Sequence, residues 1–404
     1  MIVRPFVKII FRVLSRAIDI DILFVGPFEV ETPMPEFDYK RENSKPISRR
    51  SMLAGSAGAL GVTVAGCLGD GDADDDESDD DFELPDEHFS IDGSTILDPY
   101  GEEFYSKGTN VQGYQWVWPK SVVEDADLIA DAWNFNSVRV NNLVTEGARE
   151  WPQFDDNDDL DELVETFTSR EVVVILEEHT IVGGYYSDEQ LATVEGWLAE
   201  IAEDYGDNPY VWFGIANEPG GMEEDNDHDL WEEQARTLID AVRDTGAENP
   251  VVVPGLSWGQ DSGPNWNDDP VEDEDSFILS RGPDLNEDYD DLVFDFHVYD
   301  QWRFGAERLG AFMDRAHELD LAIEIGETGV WNNNDIPEAL EQMYEAAVPR
   351  NVGRIIWHWY GGDDNELCTS GSPEPGGYAI DHEENPTNLT FFGEKVWEDT
   401  HSDD

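Results

Sequence analysis

From Phe89 onward, short runs of β-branched and aromatic residues alternate with acidic segments whose apolar positions repeat at helical spacing. Eight runs predict strands: FYSKGTN (104–110), FNSVRV (135–140), VVVILEEH (172–179), YVWFGIANE (210–218), VVVPGL (251–256), LVFDFHVY (292–299), LAIEIGE (321–327) and VGRIIWHW (352–359). Helical spacing recurs at 121–133, 187–205, 227–245, 307–319, 336–347 and 389–399. In LWEEQARTLIDAV, Leu230, Trp231, Leu238 and Val242 are expected to share a buried face, with the acids opposite. The stretch 259–291 is mostly Asp, Gly, Pro and Asn and carries the weakest helical signal. Eight strands, each followed by a helix or a long loop, predict an α/β fold of the (β/α)8 barrel type rather than a doubly wound sheet. FSIDGSTILDPYGEEF (89–104) predicts a hairpin across the barrel bottom.

Four segments divide the chain. Residues 89–404 form the barrel domain, and 68–88 open with LGDGDADDDESDDD, whose like charges predict a solvated tether. Within 34–67, SRRSMLAGSAGALGVTVAGC (48–67) pairs two arginines with a weakly apolar Gly/Ala-rich run, a pattern similar to a twin-arginine export signal. Its four glycines disfavour a buried helix. The closing VAGC resembles a lipobox, which implies lipidation of Cys67 and an extracellular protein anchored to the outer face of the membrane. Residues 1–33 are read as an extension preceding the true start at Met34. Cys368 would then stand alone, so no internal disulfide is expected.

Charge sharpens this picture. The 404 residues carry 23 Lys+Arg against 93 Asp+Glu, a net charge of -70. From Cys67 on there are 14 basic and 86 acidic residues. Such a balance excludes nucleic-acid partners, which require basic patches, and attraction to anionic lipid. Membrane contact is therefore expected only through the lipid on Cys67. A disordered acidic chain is excluded by a 39% hydrophobic content with 14 Trp, 19 Phe and 13 Tyr. The remaining reading is a folded protein with an acidic, lysine-poor surface, similar to proteins bathed in molar salt, where the Debye length shrinks to about 3 Å.

The candidate chemistry sits at two strand ends. WFGIANEPGG (212–221) is apolar until Asn217, Glu218 and Pro219, and LAIEIGETG ends on Glu327. In a barrel, the C-terminal strand ends form the mouth. Two carboxyls facing each other there suit glycoside hydrolysis, one protonating the leaving oxygen and the other attacking carbon or activating water. Among so many acids a lone Glu means little; the paired frames carry the reading.

On these motifs the chain resembles glycoside hydrolase family 5 over about residues 90–400. The resemblance implies a retaining enzyme with Glu218 as acid/base and Glu327 as nucleophile. It further implies that Asn217 bonds the sugar 2-hydroxyl, Arg139 steadies the nucleophile and His179 binds sugar. His297 and Tyr299 would flank the acid/base and the nucleophile, and Trp357, rather than Trp359, would be the sugar platform. Trp116, Trp118 and Trp258 fall in mouth loops that suit stacking on sugar rings or a hydrophobic lid. A metal pair at His179 and His297 is disfavoured by the lack of any H-x-H, so neither metal nor cofactor is expected. LEEHT, IANEPGG, GLSWGQD and HWYGGDD resemble the bacterial β-mannanase branch, while Pro219 and Thr328 depart from it. The expected partner is a β-linked polysaccharide, mannan first, with an endo-β-1,4-glucanase as the alternative. A catalytically inactive sugar-binding barrel is the alternative from another class. A monomer is expected.

Self-repulsion of this charge should weaken the fold in dilute buffer. Activity and melting temperature are expected to rise with KCl into the molar range and to fall on dialysis. A flat salt profile in both measurements would contradict the salt-adapted reading.

Overall fold

The computed structural model describes residues 82–112, 122–145, 158–221, 226–263, 268–330, 338–359, 365–368 and 386–402. The chain divides into two units, Met1–Glu77 and Ser78–Asp404, and all described residues lie in the second. The expected extension, export signal, Cys67 and most of the tether fall outside the described residues, as do Trp116 and Trp118.

Three short antiparallel strands come first: β1 (Ser90–Asp92), β2 (Thr95–Leu97) and β3 (Glu103–Phe104). Eight parallel strands then close a barrel: β4 (Lys107–Gln112), β5 (Ser137–Asn142), β6 (Val173–Glu178), β7 (Val211–Gly214), β8 (Val251–Pro254), β9 (Leu292–Val298), β10 (Ala322–Thr328) and β11 (Gly353–Ile356). They neighbour one another in chain order, and β11 returns to β4. The (β/α)8 expectation thus agrees with the structure. Helices α1 (Asp158–Thr168), α2 (Asp188–Tyr205), α3 (His228–Arg243), α4 (Phe277–Asp288), α5 (Ala306–Glu318), α6 (Glu338–Ala347) and α7 (Phe391–Thr400) follow β5 to β11 in turn.

Four local expectations are corrected. After β4 the predicted helix at 121–133 is a 3-10 turn (Val122–Asp125) and a π-helical turn (Asp127–Ala132). Helix α1, with buried Leu163, Val164 and Phe167, occupies a stretch that gave no helical expectation. The weak stretch 259–291 holds α4 despite Pro283, because caps replace periodicity. Ser276 Oγ accepts from the Leu279 amide at 3.0 Å, and Asp261 accepts from those of Phe277 (2.9 Å) and Ile278 (3.0 Å), satisfying the first turn's donors. On α3 the buried face is Trp231, Ala235, Leu238 and Val242, whereas Leu230 is exposed, one position being a 100° rotation.

Two apolar clusters follow from the period-two alternation of the strands. Outward residues such as Val174, Leu176, Phe294 and Phe296 join the helices in the larger cluster. Inward residues near the strand starts, among them Val173, Ile175, Trp212, Val252, Val293, Ala322 and Ile355, join Phe89, just before β1, and Ile96 of β2. Phe89 and Phe104 meet Trp212 edge-on, with ring centroids 5.3 and 5.8 Å apart. The expected hairpin therefore does cap the bottom, but as three strands. Phe104 belongs to β3, and the first barrel strand starts only at Lys107.

One acid is buried next to this lower layer. Glu324 on β10 accepts from Ser106 Oγ at 3.0 Å, while its Oε1 has no hydrogen-bond partner among the described residues. Burial, reinforced by Asp295, raises its pKa from an ordinary 4.5 to about 8. Between those values the folded state holds a proton that the unfolded chain has released, so this group's effect on stability becomes less favourable as pH rises through the window. Glu324→Gln should leave the melting temperature nearly unchanged at pH 5. At pH 8.5 it should raise it by about 5 °C, a difference of order 2 kcal/mol in a domain of this size. Equal shifts at both pH values, read by circular dichroism, would contradict the buried-proton account.

Candidate active site

Above the apolar layer the inward positions turn polar. The alternation that buries Val173 and Ile175 at the bottom of β6 continues to Glu177 and then His179. On β9 it runs Val293, Asp295, His297, Tyr299, and on β5 it brings in Arg139 and Asn141. Each inner face therefore grades from hydrocarbon at the bottom to charge at the mouth.

The two expected carboxyls arrive by local departures from a regular strand. β7 stops at Gly214, so Glu218 lies beyond the strand rather than on it. A parallel bridge with Val182 holds it there: the Glu218 amide donates to the Ile181 carbonyl at 3.2 Å, and the Gly183 amide donates to the Glu218 carbonyl at 2.7 Å. On β10 the register against β9 shifts between Ile325 and Glu327, so that Glu327 pairs with inward His297. Gly326 is the extra residue of this bulge. Were the pairing regular through Gly326, Glu327 would fall on the outward face, since a one-residue slip reverses every side chain.

Arg139, 1% exposed, joins the groups. Its Nη1 donates to Glu327 Oε1 and to Asn110 Oδ1, both at 2.9 Å, and its Nη2 donates to Asn217 Oδ1 at 3.0 Å. Glu177 and Asp295 lie 3.3 and 3.8 Å from Nη2. Burial opposes the guanidinium charge, but these carboxylates outweigh it and raise the Arg139 pKa. Burial likewise opposes charge on Glu177 and Asp295; Arg139 with His179 in one case, and His297 with Arg139 in the other, hold both below the usual carboxylate range.

The second oxygen of Glu327 accepts from the Tyr299 hydroxyl at 2.9 Å. Burial and the Glu327 and Glu218 carboxyls raise the Tyr299 pKa well above its usual value, so the hydroxyl remains a donor. His297 Nδ1 lies 3.0 Å from Glu218 Oε1 and 3.7 Å from Glu327 Oε2. Burial alone would lower the His297 pKa; Glu327 and Asp295 reverse this and raise it to about 10, so the ring is an imidazolium at neutral pH. Burial pushes Glu327 up, opposed by His297 and Arg139. One ligand-type atom each from Glu218, His297 and Glu327 lie within 4.8 Å of one another. Glu218 is the more open of the two acids, its side chain 15% exposed against 5% for Glu327.

The remaining expected residues surround this pair. His179 donates or accepts at Nδ1 against Glu177 Oε2 (3.1 Å) and stacks on Trp357, with ring centroids 5.4 Å apart and planes 6° apart. Among the described residues, the three groups close enough to share an ion are Glu218, His297 and Glu327, without His179. Trp357 is half-buried. Trp359 is fully buried, its Nε1 donating to Asp125 at 3.0 Å, which makes it core. On a regular strand both tryptophans would point the same way; here β11 ends at Ile356, before either of them. Trp258 is half-buried beside Gly183, where a Cβ would lie 2.3 Å from its indole nitrogen.

Sequence reasoning missed Asn110, Asn141, Glu177 and Asp295. Asn141 Nδ2 donates to Asn110 Oδ1 (3.0 Å) and Glu177 Oε2 (3.1 Å), and Asn110 Nδ2 donates to the Gly326 carbonyl (2.8 Å), tying β4, β5, β6 and β10 together. The missed signal was period two: each stands two residues from a polar group already singled out, or in frame with one across the sheet.

A closed parallel barrel with two carboxyls facing each other at its C-terminal mouth, one of them clamped by Arg and Tyr, defines a barrel hydrolase of the glycosidase kind. The cellulase (glycosyl hydrolase family 5) profile matches residues 97–363. The chain belongs to glycosyl hydrolase family 5 and is an O-glycosyl hydrolase. It is 25% identical over 274 residues to a mannan endo-1,4-beta-mannosidase of Salipaludibacillus agaradhaerens, covering 68% of this chain and 82% of that one. It is 26% identical over 279 residues to a beta-mannanase/endoglucanase A of Caldicellulosiruptor saccharolyticus, covering 67% of this chain but only 18% of that one. Its fold is similar to that of the beta-mannanase from Streptomyces thermolilacinus with mannohexaose, at a TM-score of 0.60 and 20% identity over 78% of this chain and 94% of the other.

Arg139→Lys keeps a positive charge but not the planar fork that reaches Glu327, Asn110 and Asn217 at once. Turnover of β-glycan should fall by about 100-fold or more, the scale of losing one buried, preorganised donor in an active site. The melting temperature should also drop, because Glu177 and Asp295 lose part of their neutralisation. Near-normal turnover in Arg139→Lys would contradict the clamp.

Proposed function

We propose that this protein is a retaining endo-β-1,4-mannanase in which Glu327 is the nucleophile and Glu218 the acid/base. The observation that carries the mechanism is the spacing: one carboxyl oxygen of Glu218 and one of Glu327 lie within 4.8 Å of each other. That fits double displacement, which brings the two carboxyls to about 5–5.5 Å, rather than the wider gap that leaves room for an inverting water. The donor count divides the roles. Both Glu327 oxygens accept, from Arg139 and Tyr299, which favours an anion aimed at carbon. Glu218 is more open and is met at Oε1 by the His297 imidazolium, so Oε2 carries the proton to be transferred.

In the first step Glu327 attacks the anomeric carbon. The glycosidic C–O bond breaks, and Glu218 gives its proton to the leaving oxygen. In the second step the Glu218 carboxylate takes a proton from water, the water oxygen attacks the same carbon, and the ester to Glu327 is released. Asn217 has its Oδ1 engaged by Arg139 and one Nδ2 hydrogen by the Ile181 carbonyl at 3.3 Å; the other hydrogen serves the sugar 2-hydroxyl. Trp357, stacked on His179, is the platform beneath the sugar.

Mannan is supported by the mannanase relatives and by Leu-Glu-x-His at 176–179 with Trp-Gly-Gln at 258–260. The endoglucanase reading rests on the mixed mannanase/endoglucanase relative. Purified protein in molar salt should release reducing ends from galactomannan at least about tenfold faster than from carboxymethyl-cellulose or xylan, equivalent to about 1.4 kcal/mol of transition-state preference. Glu327→Gln should be inactive, and Glu218→Ala should yield a β-glycosyl azide when azide is added. Faster cutting of carboxymethyl-cellulose would assign the protein to endoglucanases, an α-azide would refute double displacement, and no cutting of any glycan would leave a sugar-binding barrel.

A further inference from the structure

Asp295 is a buried acid that the mechanism above does not use. It lies two positions before His297 on β9 and is 1% exposed. Its Oδ1 accepts from the Gly326 amide at 2.6 Å, and Gly326 is the bulge residue that turns Glu327 inward. A Cβ at Gly326 would sit 2.2 Å from that same oxygen, so the carboxylate fills the space the glycine leaves open. Its Oδ2 faces His297 Nε2 at 3.6 Å and Arg139 Nη2 at 3.8 Å. Through its other nitrogen, His297 meets Glu218. One carboxylate thus touches both the backbone that presents one reacting acid and the ring that contacts the other.

We infer that Asp295 is a positioning residue that couples the two catalytic acids, fixing the β10 bulge beneath Glu327 while holding His297 as a hydrogen-bond donor to Glu218. This rests on the roles proposed for Glu218 and Glu327. Among the described residues, the charged and titratable groups around His297 are Glu218 beyond β7, Glu327 on β10, Asp295 on its own strand and Tyr299 just after it, with Arg139 of β5 bonded to Glu327. From the loop after β8, the Gly259 carbonyl accepts the His297 amide at 2.8 Å. Glu218 takes part in the reaction and its charge changes during turnover, whereas Asp295 remains a constant anion on the far side of the ring. If that anion is removed, His297 loses its proton at lower pH. A neutral ring then accepts from Glu218 and draws away the proton that the leaving group needs.

Asp295→Asn keeps an acceptor for the Gly326 amide and removes the charge. It should move the alkaline limb of the kcat/KM–pH profile down by about one unit or more, the usual effect of one near counter-charge. Activity on the acidic side should remain within a few-fold of the parent. Asp295→Ala, which also frees the bulge, should lose kcat at every pH. Independently of activity, 15N-histidine NMR of the parent, with His297 assigned by the signal missing from His297→Asn, should show that ring charged well above pH 7. A parent His297 titrating near its ordinary 6.5 would overturn the inference. So would an unmoved alkaline limb in Asp295→Asn, or a uniform loss at all pH values with a lowered melting temperature, which marks a purely structural role. A parent that cuts no glycan would instead refute the proposed reaction and leave the NMR result to decide on Asp295.

Discussion

The guanidinium of Arg139 is the condition on which the barrel interior depends. Glu177, Asp295 and Glu327 are all buried within 4 Å of it, and three anions enclosed together would repel one another and lack the water that normally stabilises them. A cation with a planar fork can face several carboxylates and two amide oxygens at once, which an ammonium cannot. Asn110, Asn217 and the acids are oriented by being bonded to the same group, so the mouth takes its geometry from one side chain of β5.

The vertical grading of the barrel makes this possible. The lower interior is hydrocarbon, sealed by Phe89 and by Ile96 and Phe104 of the added antiparallel sheet, and there burial is favourable without partners. Further up, the acids have partners: Glu177 has Arg139 and His179, Glu327 has Arg139 and Tyr299, and Glu218 has His297. Glu324 lies between the two layers, with only Ser106 among the described residues donating to it, and burial there favours its neutral form. The same chain therefore treats its acids in opposite ways. On the surface their charge meets water, with some paired to arginines such as Arg236 and Arg315, and inside each needs a named donor.

Much of this was legible from the sequence. The alternation of apolar runs with helical spacing gave the eight-stranded barrel, because strand and helix periods are local properties and a parallel barrel needs both in turn. The apolar strands ending in Asn217–Glu218 and Glu327 pointed to the mouth for the same reason. Helix α4 was weakly signalled because Ser276 and Asp261 cap it, and the 15-position separation of those two hides the pairing from any local reading.

What only the tertiary structure decided is where each side chain faces once regular alternation is broken. The bulge at Gly326 turns Glu327 inward, and it exists because β9 supplies a fixed register on one side and Asp295 accepts the freed amide. Glu218 stands beyond its strand, held by a bridge to a loop more than thirty residues away. Trp357 and Trp359, two positions apart, go to the mouth and the core because β11 has already ended. The sequence by itself determined the barrel and the two carboxyls, since strand period and residue type are carried along the chain. Their partnering through Arg139, His297 and Tyr299 was decided only by closure, because it brings β5, β7, β9 and β10 to one point that no spacing along the chain encodes.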